Sequence, residues 1–299
     1  MVDLREYEIE NVSRVEQITN DVFFVYADER FVYKRAIRRD YVEIQQRAEL
    51  VAAGGGFESN RIIQSQSGKP VDKNGFYLMT LVEGTAQTSL PPLQLLASIK
   101  FLGDYLSVLS RVPARAEDFY EENIWDLAYR PEFIRKTALT EISGMGLEYG
   151  IVLPIQEAVR RLEGIRHVFD TQEIQLIHND LGPGNIIFSE DRPVGIIDFT
   201  PGLDSAIFAL CQFLYWNVFY FSGSIDKEFC EEVLHRVVQD LECTKAELEA
   251  HLLRVALYRV IAPLFEHRVV TDSILKRLAT IQHKKKCNFF KKVLDTVFR

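Results

Sequence analysis

One segment, Leu176 to Gly202, reads LIHNDLGPGNIIFSEDRPVGIIDFTPG and gathers the residues able to do chemistry. His178, Asp180 and Asn185 stand in the order H-x-D-x-x-x-x-N, and the apolar run GIID ends in Asp198. The stretch between them reads as a hairpin, with strands IIF and VGII around a turn at Ser189 to Pro193. Two carboxylates and an amide then converge at one end of two strands. Such a group suits a hard divalent cation and a hydroxyl that must lose its proton. Mg2+ takes one or two carboxylates, keeps several waters and completes its coordination with substrate phosphates, so Asn185 and Asp198 suffice as protein ligands. Asp180 is left to accept the proton of an attacking hydroxyl.

These residues need a frame. Val22 to Tyr26 (VFFVY) and Phe31 to Ile37 (FVYKRAI) are β-branched and aromatic runs separated by the polar Ala27-Asp28-Glu29-Arg30. Asp40 is placed to cap a helix that runs to about Ala53 and stops at Gly54-Gly55-Gly56. A further strand, Phe76 to Val82 (FYLMTLV), follows a polar turn at Val71 to Gly75, giving a small antiparallel sheet with one helix. After Glu83-Gly84 the pattern turns helical. Leu93 to Leu109 and Pro154 to Phe169 carry apolar residues at helical spacing, Asp118 to Glu132 is mixed and aromatic, and helices run on from Ser205. The fold class is α+β, with a boundary at Gly84.

With the loop and the frame together, the chain resembles the aminoglycoside phosphotransferase and choline kinase superfamily. H-x-D-x-x-x-x-N followed by I-D-F is similar to that superfamily's catalytic loop and metal-binding segment, an arrangement shared with protein kinases. Asn179 and Gly182, where protein kinases carry Arg and usually Lys, point to the small-molecule branch, as does Asp-Phe-Thr at Asp198 to Thr200. The resemblance implies a bilobal protein-kinase-like fold. Residues 1–84 would form a nucleotide-binding lobe with the hinge, and residues 85–299 a helical lobe with the catalytic loop and acceptor site. It implies that Lys34 grips the α and β phosphates, and that Met79 is the gatekeeper of a hinge whose Thr80 carbonyl and Val82 amide face the adenine edge. Strand alternation independently puts Val32, Lys34 and Ala36 on one face, so Val32 would pack against adenine. Asn20 lies where the phosphate-covering turn sits. Glu49 is the helix partner implied for Lys34, with Glu43 the other candidate. The acid that commonly opens the next helix and buttresses the loop is replaced by Phe208 in DSAIFAL, which leaves Asp204 or packing to do that work. The implied activity is transfer of the γ-phosphoryl group of ATP, or of GTP in its place, with Mg2+, to a hydroxyl of a small molecule such as an aminoglycoside, amino alcohol, sugar or homoserine. The alternative is a catalytically weak nucleotide-binding module.

Composition bounds the rest. At 299 residues with 47% hydrophobic and 26% charged residues, the chain has the make-up of a globular protein rather than a disordered or fibrous one. Its 43 acids against 35 bases argue against nucleic acid as a partner. Cys211, Cys230, Cys243 and Cys287 show no metal spacing and read as reduced thiols. Met1 to Glu10 lacks the pattern of a signal peptide. The apolar run Ala206 to Phe221 is interrupted by Gln212 and Asn217, which reads as a buried helix rather than a membrane span, and the expected location is the cytoplasm. Within it Phe213, Tyr215, Trp216, Phe219 and Tyr220 fit a core helix better than a cage for a cationic acceptor. The acidic EDFYEE at Glu117 to Glu122 reads as a solvated face. His178 is expected to fix the loop by bonding backbone near the second strand of the hairpin. Oligomeric state is not written in the sequence.

Overall fold

Alternating apolar residues build the N-terminal sheet of the computed structural model, which describes residues 4–120, 149–220 and 227–269, with 286–287, 290–291 and 294. The order is β1 (Arg14–Thr19), β2 (Val22–Tyr26), β3 (Arg30–Arg35), helix α1 (Arg39–Gly54), the short strands β4 (Glu58–Ser59) and β5 (Ile62–Ile63), and β6 (Phe76–Thr80). Five of the strands pair antiparallel in the order β1-β2-β3-β6-β5. Period-two alternation sends Phe31 and Tyr33 to one face with Val25, Phe76 and Leu78, while Val32 joins Ile62, Met79 and Val42 on the other. Leu4 and Tyr7 cover the first face. Strand β1 lies at the sheet edge with nearly all its side chains exposed, so RVEQIT has no apolar alternation and the pattern becomes readable only from Val22.

Helix α1 starts at Arg39, with Arg38 rather than Asp40 at the N-cap. Asp40 sits inside the first turn, accepts from the Tyr41 N–H at 3.1 Å and pairs with Arg38, where the helix dipole favours a negative charge. Past the helix end Gly56 takes φ +88°, a left-handed conformation that glycine adopts without strain. Tyr41, Ile44, Ala48 and Ala52 recur at helical spacing and are buried in the large C-terminal core.

Strand β6 ends at Thr80, and the chain leaves the sheet through Gly84 at φ +129°. A Cβ at Gly84 would stand 2.6 Å from the Phe188 carbonyl oxygen, so only glycine passes here. Next come β7 (Thr85–Ala86), α2 (Pro92–Leu109), α3 (Glu117–Tyr120), α4 (Tyr149–Gly164), α5 (His167–Asp170), β8 (Gln175–His178), β9 (Ile186–Ser189), β10 (Arg192–Ile196), β11 (Pro201–Asp204), α6 (Ala206–Leu214), α7 (Lys227–Asp240) and α8 (Lys245–Val269). The helix expected from Pro154 to Phe169 begins earlier and stops at Gly164, with Pro154 inside it and α5 as a separate turn. Proline there lacks one backbone donor without ending the helix, and read from sequence it passes for a start. Of the mixed stretch Asp118 to Glu132, residues 121–132 lie outside the described residues.

The buried helix expected at Ala206 to Phe221 is α6 followed by a π-helical turn, Tyr215–Tyr220. Phe208, Phe213 and Tyr215 are buried in a core shared with Ile99 and Leu102 of α2, Ile155 of α4 and Leu253 of α8. Among the described residues no helix is long and apolar enough to cross a membrane. Two small sheets complete the frame. Strand β4 runs parallel to β10 in the order β4-β10-β9-β7, and β8 pairs antiparallel with β11, His178 facing Pro201.

Candidate active site

The loop between β8 and β9 is fixed from within by His178. Its ring is fully buried, with Nδ1 accepting from the Asp180 N–H at 3.1 Å and the Thr200 N–H at 3.5 Å. Nε2 donates to the Ile197 carbonyl at 3.3 Å. Two donors facing one nitrogen and a carbonyl facing the other define the neutral tautomer. Burial lowers the imidazole pKa, against the nearby charges of Asp180 and Asp198 that would raise it. His178 thus ties the loop to the segment that carries Asp198, as expected of it.

Asp180 projects from this loop with an exposed side chain, and among the described residues its carboxylate has no hydrogen bond or ion pair. Asn185 closes the turn Pro183–Asn185. Its Nδ2 donates to the Asp180 carbonyl at 2.5 Å, and its own carbonyl accepts from the Ile197 N–H at 3.0 Å. Asp198 follows β10 at φ +56°, a left-handed backbone that turns its half-exposed carboxylate out of the strand direction. That carboxylate contacts the Lys34 ammonium, which reaches it from β3. Asp180, Asn185, Asp198 and Lys34 are therefore linked to one another from three sheets.

Glu49 stands apart from that group. It is buried on α1, accepts from Gln45 Nε2 at 2.8 Å, and has a second carboxylate oxygen without a hydrogen-bond partner among the described residues. Burial pushes its pKa up to about 8, partly opposed by the Gln45 amide and the Ile62 N–H. No ion pair joins it to Lys34 among the described residues. The implied Lys34–Glu49 pair gives way to Lys34–Asp198: the lysine meets the half-exposed carboxylate after β10, while Glu49 is buried against Gln45. Glu43 is exposed on α1, lining a cavity of about 650 Å³ with Arg47, Arg115 and Asp118. Gln45 also accepts from the Tyr77 hydroxyl at 3.3 Å and lies 4.0 Å from Met79 Sδ.

Met79 is buried on the Val32 face of the sheet. The Thr80 carbonyl accepts from Asn60 Nδ2 at 2.8 Å, which takes one of its two lone pairs. Asn20 lies in the turn joining β1 to β2, where Asp21 pairs with Arg35 at 2.7 Å.

The buttress of the loop escapes sequence reasoning. Asp204 does not reach the loop: it forms a two-point ion pair with Arg254 at 3.0 and 2.5 Å, and that guanidinium lies 4.2 Å from the Phe208 ring centre. The contact comes from Gln212, fully buried on α6. Its Nε2 donates to Asn179 Oδ1 at 3.1 Å, and its Oε1 accepts from Arg259 Nη2 at 3.0 Å. The one available signal was a glutamine interrupting an apolar run. Trp216 faces Arg259 at 4.6 Å, so the cation over this ring belongs to the chain itself. The side chains of Phe219 and Tyr220 lie outside the described residues, as do residues 121–122 of the acidic stretch, whose Glu117 pairs with Arg115 at 3.2 Å.

The donor set fits a hard cation. With Nδ2 of Asn185 engaged by the loop, its Oδ1 remains as an oxygen donor at the start of the hairpin whose other end leads to the Asp198 carboxylate.

A buttressed carboxylate, an amide and carboxylate on one hairpin, and a lysine from a separate antiparallel sheet define a phosphotransferase of kinase-like α+β fold. The chain belongs to the phosphotransferase enzyme family, whose model matches residues 12–202. Solved structures share the fold across nearly the whole chain. A GDP complex of aminoglycoside 2'-phosphotransferase-IIIa is 14% identical with a TM-score of 0.66, covering 95% of this chain and 96% of that one. An amicoumacin kinase with AMP-PNP and Ca2+ is 13% identical with a TM-score of 0.65, covering 95% and 90%. A choline/ethanolamine kinase family protein from Mesorhizobium loti is 17% identical with a TM-score of 0.62, covering 96% and 90%. Comparison with curated proteins finds no match.

Proposed function

We propose that this phosphotransferase is a Mg2+-dependent small-molecule kinase that moves the γ-phosphoryl group of ATP or GTP to a hydroxyl of an aminoglycoside, amino alcohol, sugar or homoserine-like acceptor. The observation that carries the reading is the contact between Lys34 and Asp198, residues 164 apart in sequence, with His178 bonding both the Asp180 N–H and the segment that carries Asp198. A phosphate-binding cation and a metal-binding anion that meet in space can share one polyphosphate between them. Residues 1–84 would bind the nucleotide and residues 85–299 the acceptor. Asp180 accepts the hydroxyl proton as the acceptor attacks in line, Lys34 holds the α and β phosphates, and Val32 and Met79 pack on the base. Asn185 and Asp198 would hold Mg2+, which supplies neutralisation of the charge on the transferring group. The relatives that bind GDP or an ATP analogue support a nucleotide site, and those that act on amicoumacin or aminoglycosides support a small hydroxylated acceptor. Cys211, Cys230 and Cys243 are free thiols, which fits the reducing cytoplasm.

A second reading, a catalytically weak nucleotide-binding module, is favoured by Glu49 standing apart from Lys34. The two separate in one experiment. ADP release is followed with a panel of hydroxylated acceptors, in the wild type and in Asp180→Asn. Acceptor-stimulated turnover that falls by about 10² to 10⁴ in the variant, with nucleotide affinity unchanged, supports the kinase. Turnover that the variant leaves intact removes Asp180 from the reaction, and nucleotide binding with no stimulated turnover gives the lead to the module.

A further inference from the structure

We propose that Asn60 sets the purine preference of the nucleotide site, and that the site takes guanine nucleotides at least as well as adenine nucleotides. This rests on the reading above that the segment after β6 faces a purine.

Thr80, the last residue of β6, has all three of its polar atoms engaged by the connector between β4 and β5. Its N–H donates to the Arg61 carbonyl at 3.0 Å, its Oγ1 accepts from the Arg61 N–H at 2.9 Å, and its carbonyl accepts from Asn60 Nδ2 at 2.8 Å. Asn60 is 3% exposed, so this is a fixed internal contact rather than a surface one. The connector is itself anchored, since the Ser59 hydroxyl donates to the Glu49 carbonyl at 3.2 Å at the far end of α1. Leu81 turns the other way, its N–H donating to the Arg30 carbonyl at 3.0 Å. Val82 comes next, and among the described residues neither its N–H nor its carbonyl has a hydrogen-bond partner.

The segment thus offers a purine the N–H and carbonyl of Val82, with one lone pair of the Thr80 carbonyl already taken. Guanine presents O6 as an acceptor and N1–H as a donor side by side, which complements the Val82 N–H and carbonyl. Adenine presents N6–H2 and N1. Its N1 can take the Val82 N–H, but its amino group has only the second lone pair of the Thr80 carbonyl, the first being held by the buried Asn60 amide. The cap also removes most of the lone-pair repulsion that an open carbonyl would direct at guanine O6. A buried amide on a hinge carbonyl is thus a selectivity element built against the adenine amino group.

The test is calorimetric titration of the full chain with ATP and with GTP in the presence of Mg2+, for the wild type, Asn60→Leu and Asn60→Ser. The wild type is expected to bind GTP at least as tightly as ATP. Both variants open the Thr80 carbonyl and should move the ratio of ATP to GTP affinity toward ATP by about tenfold, the worth of one hydrogen bond. Wild-type preference for ATP by about that factor, or a ratio unchanged in variants that melt like the wild type, overturns the assignment. Should neither variant fold, the wild-type preference alone decides it. Binding of neither nucleotide overturns the nucleotide reading and this inference together, an outcome distinct from tight binding with the wrong preference.

Discussion

Glu49 is an acid in a place that disfavours its charge. The unfolded chain releases its proton in the ordinary carboxylate range near 4.5, while burial in the folded chain raises the pKa to about 8. Between those values the folded state binds the extra proton, so stability falls as pH rises. The contribution is fully present below about 4.5 and is lost as pH passes through about 8. Glu49→Gln keeps the shape and the neutral hydrogen-bonding character and removes the titration. Urea unfolding between pH 5 and 9 should show the wild type losing stability relative to this variant as pH rises; parallel curves would mean that Glu49 ionises freely in the folded state. His178 illustrates the opposite solution to burial. Its neutral form makes every hydrogen bond the loop requires of it, so it holds Asp180 and Thr200 without carrying charge.

At the scale of elements, the position of the loop that carries Asp180 depends on helices distant from it in sequence. Gln212 on α6 and Arg259 on α8 form a chain of hydrogen bonds to Asn179, the neighbour of Asp180. Gly202 on β11 presses against the same side chain, where an added Cβ would lie 2.7 Å from the Asn179 Cβ. Gln212→Leu removes the relay while filling its space. Turnover is expected to fall about ten- to a hundredfold, since small misplacements of a reacting group cost that much. Nucleotide affinity, measured by calorimetry on the same sample, should stay unchanged. A parallel loss of both would show that Gln212 supports the whole fold rather than the placement of Asp180.

Across the whole molecule, the boundary at Gly84 closes off the five-stranded sheet more cleanly than it divides the core. Helix α1 precedes it in sequence, yet Tyr41, Ile44, Ala48 and Ala52 are buried among residues of α2, α4 and α6. Strand β4 likewise pairs with β10 on the far side of the boundary. A fragment of residues 1–84 would leave that stripe of α1 in water. It should therefore lack cooperative thermal unfolding and give poorly dispersed amide resonances. A sharp transition in the fragment would mean that the five-stranded sheet supports α1 without the large core.

What the sequence determined by itself was local in origin. Alternation in FVYKRAI and FYLMTLV set the strands and put Val32 and Lys34 on one face, and the hairpin pattern around Ser189 to Pro193 set Asn185 and Asp198 at its ends. Those patterns are legible because a half-buried strand must alternate and a tight turn must be polar. Edge strand β1 was illegible for the converse reason: with almost nothing to bury, it carries no pattern. Tertiary structure alone decided the partners of polar groups. That Lys34 meets Asp198 and not Glu49, that Asn60 caps Thr80, and that Gln212 rather than Asp204 holds the loop all depend on elements far apart in the chain. A buried polar atom must be satisfied by whichever donor or acceptor the packing brings within about 3 Å, and residue type and spacing do not encode that choice.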